Sequence, residues 1–524
     1  MNAVDFDSKP SPKETPRPAP YPISGYFISS TSDDARNFQK LRDVKAVGGD
    51  TVITFGNSLV PTPAESLPAD CIVNGDSCAG ALSSTMKINK FFTFSDGGQW
   101  GETALKCPQD RSVDSRGKTY TILAFPTEGE GCRSPTNTYD VVVAGGSRTT
   151  AKDPTVSLAH AASELNMKFF AGMPAPAKRN DIEYLPDLSY SSTLQRFTER
   201  FLEYQAAKND VPGLAGFYHH LEMPVSDNPF FEPILSVYTM QNEAIHRILP
   251  TRSALISPYI EARRDSASIT PQNARAGIRK IAATASRLEL NIAIQDGMGT
   301  GKGAAFLETD AAAPVDEYAA SIVGKGTWKQ RYVAPNKDYF DAAAAGIRGT
   351  GAILWANLEG MAPAIASNDC DGSLRGQTTL PRIDSQLQQL GKARKIVSYM
   401  WDPYFTCEGQ NAPLKDQLAD GFHTSLITDT VFDAEAGVVR VSGFNLAGHG
   451  LHVEWTLKDG SKQQHHVEKA NPEENSDRSM DANPRLETVT LDVGPTSLRA
   501  SRSYNVGIGK SPELPRGTAS PQGD

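Results

Sequence analysis

The feature that most constrains this chain is a series of short, apolar, β-rich runs separated by helical patterns. The runs are "ISGYFISS" (Ile23 to Ser30), "DTVITFGN" (Asp50 to Asn57), "MKFFAGMP" (Met167 to Pro174), "LAGFYHHLE" (Leu214 to Glu222), "SALISPYIE" (Ser253 to Glu261), "LNIAIQDG" (Leu290 to Gly297), "GAILWANLE" (Gly351 to Glu359) and "KIVSYMWD" (Lys395 to Asp402). Helical stretches precede most of them: "SDDARNFQKLRDVKAVGG" comes before the second run, "SSTLQRFTERFLEYQAAKND" before the fourth and "TPQNARAGIRKIAATASRLE" before the sixth. In the last of these Thr270 is a fitting N-cap and Pro271 a fitting first helical residue. Near-continuous apolar strands joined by helical crossovers imply a parallel sheet covered on its outer face, and eight strands are enough for such a sheet to close. An open doubly wound sheet would want a glycine fingerprint after its first strand, and "FISSTSDD" has none. The expected fold class is α/β, a (β/α)8 TIM barrel.

At 524 residues the chain is too long for one average domain, so additions to the barrel are expected. Residues 58–165 interrupt the pattern between the second and third runs, with strand-like pieces such as "TYTILAFP" and "TYDVVVAGG" and four of the six cysteines. A connection that long is seldom structureless, so we expect a disulfide-pinned subdomain over the barrel mouth. After the eighth run, short alternating strands with turn signals read as an Ig-like β-sandwich over 423–510, on a barrel spanning 21–422. The sandwich either binds glycan or braces the barrel; Trp455, the one tryptophan there, sits in an alternating strand where burial is the default. Pro-rich residues 1–20 read as a disordered tether and 511–524 as a disordered tail.

Hydrophobic residues at 39% and charged residues at 22% are ordinary globular values, and a net charge of -9 argues against nucleic acid as the main partner. A neutral or cationic substrate is easier to accommodate. No run approaches the roughly eighteen apolar residues a membrane span needs. The six cysteines fit no compact zinc spacing, which favours disulfides and an oxidising compartment. The N-terminus has no apolar signal core, so a secreted or periplasmic location requires a leader removed from the given chain. Nearness in sequence suggests pairing Cys71 with Cys78, Cys107 with Cys132 and Cys370 with Cys407.

In a closed barrel of this kind the chemistry lies at the C-terminal ends of the strands. Acids stand at the ends of five runs: Glu222, Glu261, Asp296, Glu359 and Asp402. Paired carboxylates hydrolyse glycosidic bonds, one giving a proton to the leaving oxygen while the other attacks the sugar carbon or activates water. Apolar neighbours Leu221 and Met223 would help raise the pKa of Glu222, as an acid catalyst requires.

The set "SGYFISS", "VGGDTVITF", "GFYHHLEMP", "ALISPYIE", "IAIQDGMG" and "LWANLEGM" resembles an uncharacterised bacterial TIM-barrel family, a domain of unknown function found near carbohydrate-active proteins. The acids in "GFYHHLEM" and "ILWANLEGM" are also arranged like those of the retaining (β/α)8 glycoside hydrolases called clan A. That resemblance implies Glu222 as acid/base and Glu359 as nucleophile. One departure is Leu221, where many clan members have an asparagine that holds the sugar's 2-hydroxyl; His220 shares a strand side with Glu222 and is the substitute we expect.

The stretch "IAIQDGMGTGKG" fails as a phosphate loop, because Asp296 stands at its first required glycine and Gly303 follows Lys302 where a hydroxyl is needed. It reads instead as a substrate-side turn. The remaining substrate-binding candidates are Asp296, Gln295, Tyr259, Glu261, Trp355, Asn357, Trp401 and Asp402; Asp296 either hydrogen-bonds sugar hydroxyls or competes with Glu359 as nucleophile, and Trp401 is the preferred sugar-stacking ring because related barrels often place a tryptophan there. No metal and no cofactor is expected: His219 and His220 are adjacent, so on a strand they face opposite ways. The leading function is a retaining glycoside hydrolase acting on a polysaccharide or oligosaccharide. The alternative is a non-catalytic carbohydrate-binding or scaffold protein on a degenerate barrel.

Overall fold

The computed structural model describes residues 20–182, 184–364, 370, 375–409, 411–433, 435–457, 459–473, 485–494, 501–508 and 517–519. The expected tether over 1–20, apart from Pro20, lies outside them, as does most of the tail over 511–524.

The eight runs form eight strands: β1 Gly25–Phe27, β2 Thr51–Ile53, β3 Lys168–Gly172, β4 Leu214–His219, β5 Ser253–Ile256, β6 Leu290–Gln295, β7 Ile353–Glu359 and β8 Lys395–Tyr399. Each pairs in parallel with the next, and β8 returns to β1 to close the barrel. The side-chain period of two explains why the runs look continuously apolar. Phe27, Ile53, Phe170, Tyr218, Leu255, Ala293, Trp355 and Val397, one from each strand, form a cluster inside the barrel. The residues immediately before them, Tyr26, Val52, Phe169, Phe217, Ala254, Ile292, Leu354 and Ile396, belong to the outer core shared with the helices.

The helices begin where their caps dictate. Asp33 accepts the N–H groups of Ala35 and Arg36 ahead of helix Asp34–Ala46, and Thr270 with Asn273 forms a capping box ahead of Pro271–Ala283. At the N-terminal end of the barrel the fully buried Lys395 ammonium pairs with Asp50 at 2.7 Å. Arg485, from the C-terminal region, donates to the carbonyls of Tyr21, Ile23 and Gly48 there.

Leaving β2, the chain builds a six-stranded sheet from Arg111–Ser115, Lys118–Pro126, Thr138–Arg148, Lys87–Phe94, Ser58–Thr62 and Ala175–Pro176, the last strand coming from just after β3. Three disulfides join Cys71 to Cys78, Cys107 to Cys132 and Cys370 to Cys407, the pairs that lie nearest in sequence. Toward the C-terminus are a three-stranded sheet (Leu426–Asp433, Val438–Phe444, Glu487–Asp492) and a four-stranded one (Lys462–Val467, Leu451–Leu457, Ser501–Ile508, Gly517–Ala519). Side chains of both sheets share one apolar cluster, in which Trp455 is buried. Within the span read as a tail, Gly517–Ala519 pairs antiparallel with Ser501–Ile508. No helix of the described residues is long and apolar enough to cross a membrane.

One buried carboxylate fastens the six-stranded sheet to the barrel's helical layer. Asp110 accepts the N–H groups of Lys106 and Cys107, both at 2.8 Å, and of Ala124 at 2.9 Å. It also accepts from Arg200 Nη1, in helix Ser191–Lys208, at 2.6 Å. Removing it would leave a buried guanidinium and three N–H groups without their acceptor. Asp110→Ala is therefore expected to cost about 3 kcal/mol, read as a lowered denaturation midpoint. The exposed control Asp114→Ala should stay within about 0.5 kcal/mol of the parent.

Candidate functional site

Three of the expected acids stand on the C-terminal rim. Glu359 is the last residue of β7, Asp296 directly follows β6, and Glu222 lies three residues beyond the end of β4 rather than closing it. Two consecutive residues at the end of β6 hold both glutamates. Gln295 donates from Nε2 to Glu222 Oε1 at 2.9 Å and to the Ser257 carbonyl at 2.8 Å. Asp296 turns the other way and accepts the Glu359 backbone N–H at 3.1 Å, the Met298 N–H at 3.1 Å and Gln386 Nε2 at 2.6 Å. With only 1% of its surface exposed and these donors upon it, Asp296 corrects our expectation of a sugar ligand. It positions β7 and the following turn.

That turn is the glycine-rich stretch. Its Thr300 N–H donates to Glu359 Oε2 at 2.6 Å and the Thr300 hydroxyl donates to Oε1 at 3.2 Å, so the loop cradles a carboxylate of its own chain. Two glycines make this approach possible. A Cβ on Gly303 would stand 1.9 Å from the Asp296 carbonyl oxygen, and one on Gly299 would stand 2.9 Å from Glu359 Cβ.

The electrostatics follow from this packing. Glu222 keeps an open surface to solvent but has protein packed around its carboxyl, and this desolvation raises its pKa. The Gln295 hydrogen bond and the Lys302 charge oppose the rise, the negative charge of Glu359 adds to it, and Lys178 opposes it more weakly. Burial also raises the pKa of Glu359, against the Lys302 charge and the Thr300 bonds. Asp296 is raised by burial and then by the Glu359 charge, so these two titrate as a pair.

His219 and His220 face opposite ways, as their adjacency requires. His219 is sealed in the outer layer against Gln241 and Asn242, at 2.7 and 2.8 Å, and burial brings its pKa down to about 4. His220 faces the mouth with its ring edge on Phe55, and burial lowers its pKa too. Tyr259 is tied into the rim by bridges to Pro224 and Gln295. Asn357, the register partner of Gln295, donates to Ser257 Oγ at 2.9 Å. Three buried polar atoms, the Tyr218 hydroxyl, Asn357 Oδ1 and His220 Nδ1, have no hydrogen-bond partner among the described residues.

Four candidates lie apart from this cluster. Trp355 is in the inward phase of β7 and fills the barrel interior against Phe170, which corrects its assignment to a sugar pocket. Trp401 is corrected likewise: β8 ends at Tyr399, a single helical turn follows, and the indole is buried between Tyr26 and Phe405. Asp402 forms an ion pair with Lys40 at 2.5 Å, and Glu261 is gripped by Arg263 at 2.8 and 2.6 Å. The residues our reading missed are Thr300, Lys302, Ser257 and Gln386. Lys302 had a visible signal, a lysine in a glycine-rich turn after a barrel strand, which we weighed only as a phosphate ligand.

A closed eight-stranded parallel barrel with carboxylates gathered on its C-terminal rim defines a TIM-barrel protein. A family profile described as Domain of unknown function (DUF4434) matches residues 131–407, more than half of the sequence, and the chain belongs to that family. No curated protein matches it. Among solved structures, the chain is similar to a protein from Bacteroides thetaiotaomicron VPI-5482 provisionally described as an alpha-L-fucosidase, at 13% identity and a TM-score of 0.41, over 80% of this chain and 97% of that one. It also matches an FMN-binding beta-glucuronidase from Facaelibacterium prausnitzii L2-6 at 8% identity and a TM-score of 0.28, over 69% of this chain and 48% of that one.

A carboxyl whose folded pKa is raised costs no stability while protonated and costs progressively more as pH rises above the unfolded value, near 4. Glu222→Gln removes that cost. Its melting temperature relative to the parent is therefore expected to climb as pH rises from about 4 through the range in which the folded carboxyl ionises, and to level off below about pH 4. A difference that is constant across this range would contradict the raised pKa of Glu222.

Proposed function

We propose that this protein is a retaining glycoside hydrolase in which Glu222 is the acid/base and Glu359 the nucleophile. The observation that carries the reading is the clamp at the end of β6, where Gln295 holds the Glu222 carboxylate and Asp296 holds the backbone of Glu359. The two glutamates are held differently, as their roles require. Glu222 has a raised pKa and an open surface, suited to passing a proton to a leaving oxygen and later taking one from water. Burial raises the pKa of Glu359 as well, but two donors from Thr300 and the charge of Lys302 oppose that rise and favour the ionised form a nucleophile needs.

In the first step Glu359 attacks the anomeric carbon, the glycosidic bond breaks, and the proton of Glu222 goes to the leaving oxygen. In the second, Glu222 takes a proton from water, whose oxygen displaces Glu359 and frees the sugar. His220, which faces the mouth, and Asn357 offer buried polar atoms without protein partners among the described residues, as a polyhydroxylated ligand would want. On this reading the barrel spans 21–422 with its insertion at 58–165, and residues 423–510 form a bracing sandwich whose tryptophan is buried. Three disulfides accord with an exported, secreted or periplasmic protein.

Reducing-end release from a polysaccharide panel tests the proposal. Glu222→Gln is expected to lower kcat/KM by about 10²–10⁴-fold, the usual contribution of a positioned proton donor. Glu359→Gln should abolish turnover while leaving binding intact. Glycan binding by the parent protein with no release from any panel member would favour the scaffold reading instead.

A further inference from the structure

We propose that the substrate is an anionic glycan, and that Lys302 seats its negative substituent, a uronate carboxylate or a sulfate ester, beside the bond to be cleaved. This rests on the hydrolase reading for the place of the bond and on the rim's charges for the substituent. The acids at the rim outside the clamp already have cations. Arg263 grips Glu261 through two nitrogens, and Lys40 reaches Asp402 at 2.5 Å. Lys302 is arranged differently. Its ammonium lies 3.8 Å from the centre of the Tyr259 ring, half-buried, and among the described residues it joins neither an ion pair nor a hydrogen bond.

An ammonium has three donors, and a ring face satisfies at most one side of it. The charge of Lys302 acts on both Glu222 and Glu359, so this cation belongs to the same rim as the two proposed catalytic groups. Lys178 adds a second cation. It is exposed on the segment after β3, its charge reaches both Glu222 and His220, and it too has no ion pair among the described residues.

A rim whose outlying acids have their own cations, while Lys302 and Lys178 act on the glutamates only at a distance and join no ion pair among the described residues, leaves direct contacts open to an anion. A partly desolvated ammonium gains more from a charged acceptor than from a sugar hydroxyl. The overall charge of -9 does not oppose this, because charges more than about 10 Å away are largely screened at physiological salt. The net charge led us to expect a neutral or cationic substrate; the local arrangement reverses that expectation.

The test is calorimetric binding to the full-length Glu222→Gln protein, with turnover by the parent measured alongside. The probes are oligosaccharides of polygalacturonate, alginate and hyaluronan as uronates, carrageenan as a sulfate ester without uronate, carboxyl-reduced hyaluronan, and neutral xylan and galactomannan. At least one anionic probe is expected to bind more tightly than its neutral counterparts. Adding Lys302→Met should weaken that binding by about tenfold or more, the loss of one charge-assisted contact, and Lys302→Arg should restore part of it. The class of anionic probe that binds tells carboxylate from sulfate.

Preferential binding and cleavage of neutral glycans would overturn the inference and leave the hydrolase reading standing. Lys302-dependent binding of an anionic glycan that the parent never cleaves would do the reverse. Anionic binding undiminished by Lys302→Met, or no binding to any anionic probe, would also overturn it. If Lys302 only tuned the glutamates, Lys302→Met would move the pH profile equally for charged and neutral substrates and spare affinity.

Discussion

The arrangement at the barrel mouth depends on two adjacent side chains at the end of β6, which point opposite ways because a strand alternates its faces. Gln295 reaches into the mouth and takes Glu222; Asp296 reaches into the packed layer and takes the backbone of Glu359. Strand pairing alone brings β4 and β7 to the same rim, but it does not fix a side chain that lies three residues past the end of its strand. The amide of Gln295 supplies that constraint. Asp296 has the matching task on the other side, where Gln386 from helix Leu380–Leu387 is its third donor.

This division has an electrostatic consequence. Asp296 places a third carboxyl beside Glu359 in a site shielded from water, a costly arrangement: burial raises the pKa of both, and the Glu359 charge adds to the rise at Asp296. The donors of Met298, Thr300 and Gln386, together with the charge of Lys302, offset part of that cost. The glycine-rich turn supplies several of these donors, and it can do so because Gly299 and Gly303 let backbone pass where a Cβ would collide. The same turn then carries Lys302 back over Tyr259. One short loop thus braces a carboxylate, admits the strand-to-turn crossing and sets a cation at the mouth.

Much of the fold was legible because it rests on local rules. All eight strands arise within the apolar runs, and the caps at Asp33 and Thr270 start their helices as short polar side chains do. The acids were legible as strand-end residues, but their partners were not: Gln386, Thr300 and Ser257 come from distant segments, and nothing in their own neighbourhoods marks them. The two tryptophans were misassigned for separate reasons. Trp355 is one residue out of phase with the outer layer and so points into the sealed interior, while Trp401 follows a break in backbone direction after β8 that no periodicity signals. Sequence also shows charge as a sum, whereas the mouth sets acids that have cations beside a lysine seated on a ring.

The central claim is that the Gln295–Asp296 pair brings Glu222 and Glu359 to bear on one bond. A crystal structure of the Glu222→Gln protein with a bound oligosaccharide tests it most directly. The account predicts a glycosidic oxygen within hydrogen-bonding distance of residue 222, with the Glu359 carboxylate on the opposite side of the same anomeric carbon and the two side chains about 5 Å apart. Sugar bound away from this rim, or seated there with Glu359 turned from the anomeric carbon, would contradict it.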